Sequence, residues 1–232
     1  MQQQNLANCD ALTGVSVIVP LFNEEAVVPE LIAHLNTLAA EQIVIVDGGS
    51  QDATRDLLRD SGFYVIDGPT GRAKQMNAGA EIATQDMLLF LHADTRLPES
   101  YKVELEKANA WGRFDVQFAS ASKFMKVVAF FINLRSRISC IPTGDQAIFI
   151  DRSVFLTIGG YPELPLMEDV AISKYLRQLH RPYSSRERVI TSARRWESNG
   201  ITTTIVKMWW FRLAYFLGVS PLKLKQGYDD VR

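Results

Sequence analysis

The chain has 232 residues and a formal net charge of −1, so no basic field marks it for nucleic acid. A hydrophobic fraction of 47% and a charged fraction of 22% exclude a disordered chain and suit one α/β core. The two cysteines, Cys9 and Cys140, match no metal or redox spacing, which points to a reducing, cytoplasmic setting.

Residues 1–14 are polar and lack the basic and apolar regions of a signal peptide. Apolar β-rich runs then alternate with helical patterns, the signature of βαβ units and a Rossmann-like, mostly parallel sheet. Strands are predicted at Val15–Pro20, Ile43–Asp47, Phe63–Ile66 and Met87–Leu91. Helices are predicted between them at Glu24–Ala40, Asp52–Asp60 and, after a loop at Asp67–Arg72, on to about Ala83. Beyond Pro98 the alternation loosens. A helix to about Ala110, a strand at Phe114–Phe118 and an apolar helix at Phe124–Arg137 are expected. A strand at Gln146–Ile150 and helices at Glu168–Leu179 and Thr203–Leu217 follow. By organisation residues 15–97 read as a nucleotide-binding half, 98–200 as a second half packed on the same sheet that would take an acceptor, and 201–232 as a C-terminal amphipathic helix and tail.

Polar residues gather where the first four strands end: Asn23 and Glu24, then Asp47, then Arg72 and Lys74, then His92-Ala93-Asp94. In an open α/β sheet a ligand sits outside the carboxyl ends of the strands, so these groups should share one rim. Solvated loops and helix caps are the plain alternative for any single one of them. Together the chemistry fits a nucleoside-diphosphate sugar. Asp47 can accept from a base N–H, and Arg72 and Lys74 can meet a phosphate. Asp94 is a hard carboxylate for Mg2+ or Mn2+.

The segments Val17-Ile18-Val19-Pro20-Leu21-Phe22-Asn23-Glu24-Glu25, Ile45-Val46-Asp47-Gly48-Gly49-Ser50-Gln51-Asp52, His92-Ala93-Asp94 and Glu168-Asp169 resemble family 2 glycosyltransferases of the GT-A fold. Gly71-Arg72-Ala73-Lys74-Gln75-Met76-Asn77-Ala78-Gly79-Ala80 resembles one bacterial branch of that family. The resemblance implies a nucleoside site at Pro20, Phe22, Glu24 and Asp47, with Arg72, Lys74 and Ala93 nearby. It implies that Asp94 ligates the metal and that Asp169, next to Glu168, is the general base of an inverting, in-line transfer. A UDP-sugar is the favoured donor.

Three departures from the family pattern matter. His92 stands where the family's Asp-x-Asp element begins, so it is a softer candidate metal ligand. Phe22 replaces a common tyrosine and keeps only the stacking face. Ser192 replaces the glutamine of the processive Gln-x-x-Arg-Trp motif, which implies one sugar per encounter. Arg195 and Trp196 remain candidates for the acceptor or diphosphate site, as does Asp145.

Phe124–Leu134 and Met208–Val219 are apolar nearly all round but shorter than the roughly 20 residues that span a bilayer. Core packing or a homodimer contact is the first reading. Peripheral contact with the inner membrane face, with Trp209, Trp210 and Tyr215 at interfacial depth and a lipid-linked acceptor, is the second. A nucleotidyltransferase and a non-catalytic nucleotide- or glycolipid-binding scaffold are the competing functions. A dehydrogenase is disfavoured, because no Gly-x-Gly-x-x-Gly follows the first strand.

Overall fold

The computed structural model describes residues 14–198 and 200–229. Strands β1 (Val15–Leu21), β2 (Gln42–Asp47), β3 (Val65–Asp67) and β4 (Met87–Phe90) pair in parallel in the order β3-β2-β1-β4. Helices α1 (Val28–Leu35), α2 (Thr54–Asp60) and α3 (Arg72–Ile82) connect them. Val15, Val17, Val19 and Leu21 face one apolar cluster with Leu31, Leu35 and Leu58. Ile18, Val44, Val46, Leu88 and Phe90 face a second cluster with Met76 and Ala80. Burial on both faces is why these strands read as unbroken apolar runs.

The second half extends the same sheet. Thr95–Arg96 forms β5, followed by α4 (Tyr101–Glu106), β6 (Trp111–Phe118) and α5 (Lys123–Ser139). A 3-10 turn at Gly144–Gln146, β7 (Phe149–Asp151), α6 (Arg152–Thr157) and α7 (Glu168–Leu179) come next. The remainder is β8 (Tyr183–Thr191), α8 (Arg194–Ser198), α9 (Ile201–Phe216) and α10 (Pro221–Asp229). The eight strands run β3-β2-β1-β4-β7-β6-β8-β5, with β7 antiparallel to both its neighbours.

This order forces a curl. β5 lies four strand positions from β4, about 19 Å across a flat sheet. Yet only four residues lie between Phe90 and Thr95, and the five steps reach at most about 18 Å. The sheet therefore bends round, and its bend brings β8 and β5 towards the carboxyl ends of β1 and β4.

Several predicted boundaries shift for local reasons. The helix expected at Glu24–Ala40 is only Val28–Leu35, because residues 24–27 form a turn and Pro29 opens the helix. The strand expected from Gln146 begins at Phe149. Gln146 instead closes the 3-10 turn, its side chain accepting from the Thr143 N–H. β6 starts at Trp111, three residues earlier than expected. The helix expected at Thr203–Leu217 is α9, and a further helix that was not expected, α10, follows the break at Gly218 (φ 89°).

Candidate active site

The loops after β1 and β2 are stapled together by their own polar side chains. Asn23 (φ 53°) accepts from the Gln51 N–H at 2.8 Å, and its own N–H donates to Ser50 Oγ at 2.9 Å. The Glu24 N–H donates to Thr54 Oγ1 at 2.8 Å, and Glu25 accepts from the Ala53 N–H at 3.0 Å. The first two motif segments thus interlock, which fixes Pro20, Phe22 and Glu24 at the rim.

The segment Gly71–Ala80 builds the same rim from below. Gln75 is buried and donates to the Leu21 and Val46 carbonyls, tying α3 to the carboxyl ends of β1 and β2. Gly79 lets α3 approach closely, since a Cβ there would lie 2.5 Å from Ile18 Cγ2. Asn77 grips the Tyr161 backbone through two bonds of 2.9 and 2.8 Å, steadying the chain that leads into α7.

A cleft of about 850 Å3 opens at these strand ends. Of the residues singled out from sequence, Pro20, Phe22, Glu24, Arg72, His92, Ala93, Asp94, Asp145, Glu168, Asp169 and Trp196 line it. Asp47 and Lys74 do not. Asp47 is buried, and its carboxylate accepts from the Gly49 and Ser50 N–H groups, each at 3.0 Å, and from the Ser50 hydroxyl. It caps its own turn. Lys74 points to Glu163 at 3.9 Å. The Arg195 side chain lies outside the described residues; its neighbour Arg194 reaches the cleft. Trp196 meets Phe118 edge-on at 5.4 Å.

Asp169 sits in the first turn of α7, where a carboxylate favours the helix dipole. Its oxygens accept from the Val170 N–H at 2.7 Å and the Gly144 N–H at 3.1 Å. Burial, and secondarily the adjacent Glu168 charge, push its carboxyl up to about 7. Those two N–H groups and the Arg72 cation, which stands 3.5 Å from Glu168, oppose that rise. Gly144 is needed at the 3-10 turn, because a Cβ there would meet His92 Nε2 at 2.5 Å.

Asp94 lies across the cleft. Its carboxylate accepts from Thr95 Oγ1 at 3.3 Å and Thr191 Oγ1 at 3.5 Å, and its carbonyl accepts from the Ser192 N–H. The β5–β8 pair, Thr95 opposite Thr191, fixes this geometry. Nearby, Asp145 Oδ1 is buried with no hydrogen-bond partner. Burial, and secondarily the Asp94 charge, push the Asp145 carboxyl up. Among the described residues no three His, Cys, Asp or Glu side chains gather closely enough to hold a metal alone. A hard divalent ion often takes only one or two carboxylates and completes its shell with substrate phosphates. Asp94 and the unpartnered Asp145 oxygen fit that donor set.

Sequence reasoning missed Phe118, Thr191, Arg194, Phe211 and Arg212, which also line the cleft. They arrive from the curled edge and from α9, and no local pattern marks them.

The family model Glycosyl transferase family 2 matches residues 16–127. An undecaprenyl-phosphate 4-deoxy-4-formamido-L-arabinose transferase from Aeromonas hydrophila is 30% identical over 116 residues, 44% of this chain and 35% of that protein. The chain thus matches about a third of the length of that relative. A Pyrobaculum calidifontis mannosyltransferase, solved in complex with GDP-Man and Mn2+, has a TM-score of 0.58 at 16% identity. That similarity covers 76% of this chain and 56% of the other. Glucosyl-3-phosphoglycerate synthase from Mycobacterium tuberculosis, solved with Mn2+, UDP and glucosyl-3-phosphoglycerate, has a TM-score of 0.55 at 15% identity. Here the similarity covers 77% of this chain and 70% of the other. Residues 16–127 therefore match the family 2 glycosyltransferase model, and the fold is of the GT-A type.

Proposed function

We propose that the chain is a glycosyltransferase that moves one sugar from a nucleoside-diphosphate sugar, a UDP-sugar by preference, to an acceptor hydroxyl with inversion. The observation that carries this reading is Asp169. It is a carboxylate fixed by two backbone N–H groups, with its carboxyl raised to about 7, in the same cleft as Asp94 and the strand ends. A base poised near neutrality is what proton removal from an attacking hydroxyl requires.

Phe22 and Pro20 offer apolar faces to a nucleoside, and Glu24 an acceptor. Asp94, with Asp145 beside it, would hold Mn2+ or Mg2+. Such an ion, when bound, neutralises the diphosphate as it leaves. Asp169 takes the acceptor proton while the acceptor oxygen bonds to the anomeric carbon and the bond to the diphosphate breaks. Arg72 and the Arg194 side of the cleft meet the departing negative charge. Asp47 acts here by holding the turn beneath the nucleoside rather than by touching it. The solved neighbours bind GDP-Man or UDP with Mn2+, which supports the donor class and the metal. The undecaprenyl-phosphate transferase supports a lipid-linked acceptor.

The test is diphosphate release from a panel of UDP- and GDP-sugars with candidate acceptors. Wild type should release one diphosphate per sugar transferred. Asp169→Asn should bind the donor unchanged and lose at least about a hundredfold in kcat. Retained turnover in Asp169→Asn would remove the base from Asp169.

A further inference from the structure

Helix α9 has two unlike faces. Phe211 and Ala214 are buried with Ile141, Met167 and Val170, and Met208, Phe211 and Arg212 line the cleft. Val206, Trp209, Trp210, Leu213 and Leu217 recur every three or four residues on the other side. That face is open, with Trp209 72%, Trp210 64% and Leu217 75% exposed. Tyr215, grouped with the two tryptophans from sequence, turns inward instead and sits under the Lys174 ammonium at 4.8 Å. Helix α10 packs back on α9 through Leu224 and leaves Leu222 68% exposed. Helix α5 joins α9 through a cluster of Met125, Val128 and Ala129 with Ile201 and Ile205, and exposes Phe130 and Phe131.

The charges on these helices are of one sign as far as Asp229, the last residue of α10. Residues 120–141 and 200–228 carry eight Lys and Arg and no Asp or Glu, in a chain whose total is −1. Arg135 and Arg137 are engaged inward, with the Ile141 carbonyl and Asp115. Lys123, Lys126, Lys207 and Lys223 are exposed. A second copy of the chain is a poor occupant. A two-fold contact sets a surface against itself, so like cations would meet. Protein interfaces also deplete lysine. Tryptophan with flanking lysine is the composition of a helix lying at a lipid headgroup surface.

We propose that the outward face of α9 and α10, flanked by α5, docks on an anionic lipid bilayer. Among the described residues no helix is long and apolar enough to cross a membrane, and the proposed contact is of a helix lying along the surface. Because the inner face of α9 walls the cleft, docking holds the cleft beside the headgroups.

The test is co-sedimentation with phosphatidylcholine vesicles, with and without phosphatidylglycerol, at low and high salt. Wild type should sediment with the anionic vesicles at low salt and come off at high salt. Lys207→Ala with Lys223→Ala should weaken partitioning roughly thirtyfold. Trp209→Glu with Trp210→Glu should abolish it. Both variants should keep the wild-type melting midpoint and its rise with nucleoside diphosphate, since none of these residues lines the cleft. Failure of wild type to sediment with anionic vesicles at low salt would overturn the proposal. So would light scattering that shows a wild-type dimer which Trp209→Glu with Trp210→Glu converts to monomer. Neither outcome bears on donor binding, which the midpoint reads separately.

Discussion

Replacing Asp169 by Asn should stabilise the protein while disabling it. From an ordinary 3.8, the Asp169 carboxyl is raised to about 7. Ionising it inside the fold then costs at most roughly 4 kcal/mol, at ~1.36 kcal/mol per pH unit. The sign follows from linkage. The folded state holds this proton more tightly than the unfolded state. Its contribution is therefore full below about pH 4 and is lost as pH rises through about 7. Asparagine cannot ionise, so it escapes that loss. Its single acceptor oxygen serves only one of the Val170 and Gly144 N–H groups well, which gives back roughly 1–2 kcal/mol. A net gain of roughly 2 kcal/mol remains at neutral pH and above, about 4–8 °C in Tm for a chain of this size. Calorimetry of both proteins from about pH 4 to 8 measures the difference. It should favour Asp169 by roughly 1–2 kcal/mol at the acid end and turn over to favour Asn as pH rises towards about 7. A difference that stays flat across this range would refute the partly buried, raised carboxyl and with it the assignment of the base.

Other consequences follow from single contacts. Arg72→Leu removes the cation that opposes the rise at Asp169, so the acid limb of the kcat/KM profile should move to higher pH; an unmoved limb would contradict the coupling. Gly144→Ala sets a Cβ 2.5 Å from His92 Nε2 and displaces the N–H that holds Asp169, so kcat should fall more than tenfold with little change in Tm. Gly79→Ala drives a methyl to 2.5 Å from Ile18 Cγ2 between α3 and β1, costing about 1–3 kcal/mol by denaturant unfolding.

The parallel half of the sheet was legible because its strands are apolar on both faces and nothing else fits such runs. β8 was not: in Tyr183–Thr191 the exposed Arg186, Glu187 and Arg188 interrupt any alternation, and β6 supplies its pairing across a long sequence gap. β5, at two residues, has no local signal at all. The Gln146 turn was read as strand because its side chain is satisfied by distant partners, the Phe114 carbonyl, Asn133 and Ser136.

The site divides in the same way. Residues at the ends of the first four strands could be placed on one rim from order alone, and most of them reach the cleft. Asp47 shows the limit. An aspartate before two glycines has its own turn to cap, and that local bond competes with any ligand. Phe118, Thr191 and Arg212 were invisible because only the curl of the sheet and the return of α9 bring them to the cleft. Asn23, Ser50 and Asp52, which stand in the motif segments, bind one loop to the next.

The central claim is that this cleft holds a nucleoside diphosphate through a metal on Asp94. Thermal-shift titration with UDP, GDP, dTDP and CDP, with and without Mn2+, on wild type and Asp94→Ala tests it directly. One diphosphate should raise the midpoint only when Mn2+ is present, and Asp94→Ala should erase that rise. No shift with any nucleotide, or a full shift that Asp94→Ala leaves intact, would contradict it.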